Sequence, residues 1–204
     1  MVRSRDTARA LLEIANRQGG YFTAQQARSV GYAYPMQTYH VAHGNWIRVA
    51  RGIYRLYGYP TSDRDDLIVL SLLSSDRAGQ AQAVVSHDTA LSIHELSDAN
   101  PARIHLTVPP GFRRRLPDNV ILHHGHVSKQ DWEEYEGYRV TTPLRTLRDI
   151  AESPSSWPYL DDAVREALRR GLVRLSSLLD ANGSDVMKAR LREAVTAAEQ
   201  QVGS

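Results

Sequence analysis

The chain has 204 residues, 42% hydrophobic and 24% charged, which is ample for a core and argues against wholesale disorder. It contains no cysteine, so a disulfide framework, a thiolate metal site and a cysteine nucleophile are excluded. The formal net charge of +2 hides an asymmetry: residues 1–60 carry eight arginines against Asp6 and Glu13, while residues 61–151 sum to −3 and residues 152–204 to −1.

A basic head on a mildly acidic body is expected where one end meets phosphate and the other a different partner. A G·C-rich genome would also favour arginine. No segment approaches the roughly 20 apolar residues of a membrane span, so a cytoplasmic protein with no membrane partner is expected.

Ala8, Leu11, Leu12 and Ala15 recur at helical spacing and predict a helix from Thr7 to Arg17, stopped by Gly19-Gly20. Tyr21-Phe22 reads as extended, and Thr23 as the N-cap of a short helix that ends near Gly31. A third helix is predicted from Pro35 to His43. With Val41 inward, Thr38, Tyr39 and Ala42 point outward, with Gln37 and His43 at the edges. The run Ile47-Arg48-Val49-Ala50-Arg51-Gly52-Ile53-Tyr54-Arg55-Leu56 has period two with a glycine in the connection, the pattern of a β-hairpin. Its alternation places Ile47, Val49, Tyr54 and Leu56 inward and Arg48, Arg51 and Arg55 on the other face and loop. Helix, helix, turn, helix and hairpin make a winged helix-turn-helix over residues 1–60, with the third helix in the major groove. The candidate DNA-binding residues are therefore Gln37, Thr38, Tyr39 and His43 of the helix and Arg48, Arg51 and Arg55 of the hairpin. An ordinary solvated hairpin shows the same alternation. No acidic residue lies between Glu13 and Asp63, which removes repulsion from phosphate.

Tyr57 to Ser62 reads as a linker, followed by a helix from about Asp63 to Ser75 with Ser62 or Thr61 as cap. The remainder, residues 61–204, is expected to be mixed α+β to residue 152 and helical from 153. Short strands are predicted at Ala83-Val84-Val85, Ile104 to Val108, Val120 to His124 and Tyr138 to Thr141. Helices are predicted over His87 to Leu96, from Ser128 through Tyr135, and from Thr142 to Ala151. After the break at Ser153 to Pro158, three further helices follow, the last starting at Ser184 or Asp185.

His87 and His94 lie two turns apart on their helix, too far for one metal. His123, His124 and His126 alternate along a strand and do not all converge. No phosphate loop or catalytic motif is present, and an endonuclease site would need acids and a lysine on adjacent strands, where Lys129 and Lys188 do not lie. The expectation is a binding protein, not an enzyme, with no cofactor and no metal.

Gly20-Tyr21-Phe22-Thr23, Gly44 and Ile47 through Leu56 resemble the N-terminal domain of AbiEi-type antitoxins. Val85-Ser86-His87-Asp88-Thr89-Ala90-Leu91, Leu96-Ser97-Asp98, His105-Leu106-Thr107-Val108-Pro109 and Val140 through Asp149 are similar to that family's central segment. The resemblance covers about residues 7 to 175, and Met36-Gln37-Thr38-Tyr39 departs from the apolar and basic residues common in the recognition helix. It implies a bacterial antitoxin encoded beside a nucleotidyltransferase-like toxin, which it counters directly or through the shared target. It also implies repression of its own promoter by binding double-stranded repeats. A stand-alone regulator with a ligand- or protein-sensing body is the alternative.

Overall fold

A computed structural model describes residues 2–98, 101–180 and 182–202. It is α+β and divides into two units. Unit 1 comprises the chain up to Ala83 with Arg113–Leu116 and Glu134–Tyr138; unit 2 comprises Val84–Phe112, Pro117–Glu133 and the chain from Arg139 onward.

Unit 1 begins with α1 (Val2–Asn16), which delivers Leu11 and Ala15 to the core, then β1 (Tyr21–Thr23). Thr23 caps α2 (Ala24–Ser29) through a reciprocal box: its hydroxyl accepts from Gln26 N, and its own N–H donates to Gln26 Oε1 at 2.8 Å. Gly31, at φ +111°, supplies the left-handed backbone of the turn into α3 (Tyr34–Ala42). β2 (Trp46–Ala50) and β3 (Ile53–Leu56) form the hairpin, and the sheet order is β1-β3-β2, all antiparallel.

The hairpin faces differ from the expected pattern. Trp46 pairs with Leu56 and Arg48 with Tyr54, whereas Ile47 pairs with Arg55. Opposed residues share a face, so Trp46, Tyr54 and Leu56 lie on one face together with Arg48, which is exposed there rather than on the opposite face expected for it, and Ile47 shares the other face with Arg55. A bulge between Arg48 and Ala50 takes Val49 out of the ladder. Ile47 and Val49 are accordingly exposed, at 37% and 42%. Trp46 is 4% exposed and anchors the packing: its ring meets Phe22 edge-on at 4.8 Å and Tyr32 at 5.0 Å, and stacks on His40 at 4.8 Å.

The next helix, α4 (Asp65–Leu73), starts two residues later than expected, with Ser62 N–H donating to Asp65 Oδ1. It packs on β1 and β3 and buries Leu67, Ile68, Leu70 and Leu72. Unit 1 therefore runs past residue 60, where the linker was expected, because α4 covers the sheet face that carries Tyr21 and Arg55.

Unit 2 is built on a five-stranded sheet in the order β6-β5-β4-β8-β7, of which Glu134–Tyr138, at the β7–β8 turn, group with unit 1. Its strands are β4 (Val84–Val85), β5 (Ile104–Val108), β6 (Val120–His124), β7 (Trp132–Tyr135) and β8 (Tyr138–Thr141). β4 runs antiparallel to β5 and parallel to β8, and β5 runs parallel to β6. The helix expected from Ser128 to Tyr135 is a single 3-10 turn, Lys129–Asp131, followed by β7. Trp132-Glu133-Glu134-Tyr135 also fits period two, and its neighbour in the sheet is β8. The helices are α5 (His87–Ile93), α6 (Pro143–Glu152), α7 (Leu160–Arg169), α8 (Leu175–Leu179) and α9 (Asp185–Val202). Thr142 caps α6, whose first residue is proline. The helical tail is not separate. Leu91, Leu147, Ile150, Val164, Leu178 and Leu191 bring α5 to α9 into one core.

No helix among the described residues is long and apolar enough to cross a membrane.

Trp46→Ala removes the ring that Phe22, Tyr32 and His40 share and should lower the unfolding free energy by about 3–5 kcal/mol in urea titrations.

Candidate nucleic-acid interface

The periodicity that turns Val41 inward also turns Gln37, one helical turn earlier, inward. Gln37 is 1% exposed. Its Nε2 donates to Tyr32 O at 2.8 Å and to Ala24 O at 3.1 Å. It bolts the start of α2 and the following turn to α3, and it has no access to a base edge, so this expected contact is corrected.

The other candidates on α3 are at the surface. Tyr39 is 55% exposed, and Thr38 is exposed with its hydroxyl donating to Tyr34 O. His43 is exposed, donates from Nδ1 to Tyr39 O at 2.8 Å, and lays its ring on Tyr39 with centroids 3.8 Å apart. Tyr39 and His43 thus form one stiff platform. Residues not singled out in the sequence extend the surface. Arg28, at the end of α2, donates to Tyr34 Oη at 3.1 Å, with its guanidinium 5.1 Å from the ring centre. Tyr34 and Met36 are also exposed. A helix-turn-helix reading of α2 and α3 points to these positions by their outward spacing alone.

The three hairpin arginines separate. Arg48 and Arg51 are exposed and have no ion pair among the described residues. Arg55 has a side chain only 17% exposed, lies 3.8 Å from Asp65 Oδ2, and sits over the Tyr21 ring at 5.9 Å. Tyr21 Oη donates to the same carboxylate at 3.0 Å. Arg55 is therefore paired within unit 1 and only part-exposed, whereas the open face and loop of the hairpin were expected to carry it.

Unit 2 holds a polar cluster that strand periodicity alone does not reveal. His124, at the end of β6, and His126, beyond it, are exposed, but His123 meets histidines from other elements. Its ring stacks on His87 at 3.5 Å, and its Nε2 lies 3.1 Å from His105 Nδ1. His105 Nε2 faces Asp88 Oδ2 at 3.8 Å. His87 Nδ1 is 2.9 Å from Ser86 Oγ, which accepts from Thr107 Oγ1 at 2.8 Å. Burial first, then His123, His105 and Arg145, push the His87 pKa from 6.5 to about 2. Burial and then His105 lower His123 to about 4. Asp149, on α6, accepts from Arg145 Nε at 2.7 Å, yet burial outweighs that guanidinium and raises its carboxyl to about 6. No group of three or more metal-ligating side chains is placed to hold an ion among the described residues.

The packed α2–turn–α3 pair and its arginine-bearing exposed surface define a helix-turn-helix regulator. A family profile described as "Transcriptional regulator, AbiEi antitoxin" matches residues 9–57, and one described as "AbiEi antitoxin C-terminal domain" matches residues 82–193. The chain belongs to the AbiEi antitoxin family. Its fold is similar to the crystal structure of the Rv2827c protein from Mycobacterium tuberculosis, with a TM-score of 0.52 at 18% identity, covering 95% of this chain and 77% of that one. No curated protein matches the chain in sequence.

Gln37→Met keeps the volume but orphans Ala24 O and Tyr32 O, so it should cost about 1–3 kcal/mol in unfolding free energy. The histidine cluster predicts a pH effect. The unfolded chain binds a proton at His87 below pH 6.5 and the folded chain does not, so stability present above 6.5 is lost on acidification. Asp149 acts oppositely, favouring the fold in acid and losing that advantage as pH rises through about 6. From pH 6.5 to 4.5 His87 withdraws about 2 kcal/mol and Asp149 returns somewhat less. His87→Asn removes the first effect and keeps those of Asp149 and His123, so its stability relative to the parent should rise by about 2 kcal/mol over that interval. Parallel profiles in urea unfolding would show that His87 titrates normally.

Proposed function

We propose that the chain is an antitoxin and autorepressor. Its N-terminal region acts as a winged helix-turn-helix that grips double-stranded repeats in its own promoter, and the rest counters a nucleotidyltransferase-like toxin, directly or through the toxin's target. The observation that carries the DNA reading is the pair of uncommitted guanidiniums, Arg48 and Arg51, on a hairpin that follows the exposed platform of α3. Arginine forks onto phosphate oxygens, and each phosphate neutralised releases counterions, so affinity falls steeply with salt. Thr38, Tyr39 and His43 of α3 are the groups offered to the major groove. The toxin reading rests on membership of the antitoxin family.

Gel shifts on the upstream repeats at several salt concentrations test the first half. Arg51→Ala and Arg48→Ala should each weaken binding uniformly across sequences and reduce the salt slope by about one. Arg55→Ala should leave the slope unchanged and lower stability by about 1 kcal/mol or less, because the Asp65 carboxylate loses its cation but keeps the Tyr21 and Ser62 donors. Unchanged binding by the Arg48→Ala/Arg51→Ala double variant would remove the hairpin from the interface. Co-expression of that variant with the neighbouring gene product tests the second half: rescue from toxicity should persist while promoter repression is lost.

A further inference from the structure

Between the β4–α5 junction, β6 and α6, unit 2 forms an open-mouthed pocket of about 400 Å³, lined among others by His87, Thr107, His123, Arg145, Asp149 and Glu152. Three features set it apart from a solvated crevice. His87 holds a left-handed backbone at φ +51°, a conformation that is strained for a non-glycine residue and persists only where its surroundings enforce it. Asp149 is 9% exposed, and its Oδ2 has no hydrogen-bond partner. Behind the lining, next to His105, Asp88 Oδ1 is also buried and unpartnered. A buried carboxylate oxygen without a donor costs free energy in the empty site and is the atom a ligand would satisfy.

The charges decide the class of ligand. Arg145 is the cation on the wall, and it is already committed: Nε donates to Asp149 Oδ1, while one terminal nitrogen lies 3.3 Å from Asp131 Oδ2 and donates to His126 O. Glu152 adds a second carboxylate to the lining, bonded to Ser184 N and Oγ. Phosphate or carboxylate would meet two carboxylates there and a single cation, Arg145, that is already committed. A metal ion is disfavoured by ring geometry. His87 and His123 are stacked with planes 11° apart, so their in-plane lone pairs do not converge on one point. The relay through His105 completes the picture. If His105 Nε2–H faces Asp88, its Nδ1 accepts from His123 Nε2–H, and His123 Nδ1 is left as a lone-pair acceptor.

We propose that this cavity binds a guanidinium or alkylammonium group, which donates to Asp149 Oδ2 and His123 Nδ1. The group belongs either to a small basic metabolite or to a basic side chain presented in a peptide. This site is independent of the DNA surface and of the toxin reading.

The test uses the full chain, with imidazole resonances followed by NMR and binding by calorimetry. N-acetyl-L-argininamide (argininamide below) is the probe, N-acetyl-L-citrullinamide (citrullinamide) its uncharged isostere, and inorganic phosphate the anion. Argininamide should shift the His87 and His123 signals and bind at least tenfold more tightly than citrullinamide, the difference that one charge-assisted hydrogen bond makes. Phosphate should leave these signals unmoved. Asp149→Asn should abolish the preference while near-UV circular dichroism stays native; Asp149→Glu, which keeps the charge, should restore part of it. Agmatine against capped Ala-Arg-Ala assigns the source: tighter binding of agmatine points to a metabolite and of the tripeptide to a protein side chain. Equal binding of argininamide and citrullinamide, displacement of the probe by phosphate, unmoved histidine signals at saturating argininamide, or parent-like discrimination in Asp149→Asn would each overturn the proposal.

Discussion

The burial of Trp46 is the constraint on which the N-terminal unit depends. Its indole is the first inward residue of β2 and touches partners from β1, the α2–α3 turn, α3 and β3. Side chains on a strand alternate with period two, so burying Trp46 decides the face of every later residue in the hairpin until the bulge. Ile47 is forced outward beside Arg55, and the bulge frees Val49. One large aromatic outweighs two aliphatic side chains in the choice of frame because it buries more area and makes specific ring contacts.

That choice also sorts the charges. Arg55 falls on the sheet face covered by α4 and is held by Asp65 and Tyr21. Arg48 and Arg51 are exposed and form no ion pair among the described residues. The second unit treats charge in the opposite way. Arg145 is drawn inward and shared between Asp149 and Asp131, and three histidines are held largely neutral by burial. One unit thus presents cations to solvent, and the other spends its cation internally around a cavity. The first arrangement suits a polyanion and the second a donor-bearing ligand.

Much of the fold was legible because local chemistry dominates it. The β5, β6 and β8 runs alternate or are β-branched and fold where expected. Thr23, Thr142 and Pro143 mark helix starts by groups that satisfy or lack a backbone N–H. The failures arose where two periods fit one segment, as in Trp132 to Tyr135, or where a polar residue lay on an inward helical face, as with Gln37. A glutamine reads as a base contact by type and as a core residue by position, and the two backbone carbonyls waiting for its amide are invisible in one dimension.

The sequence by itself determined the basic head, the elements that build it, the absence of thiol chemistry and the likeness to an antitoxin family, because these follow from composition, short-range periodicity and motif. Tertiary structure alone decided which arginines remain free, that α4 joins the head, and that His87, His105 and His123 meet beside Asp149. Those outcomes depend on contacts between residues far apart in the chain, where burial sets both the geometry and the charge, and no local spacing encodes them.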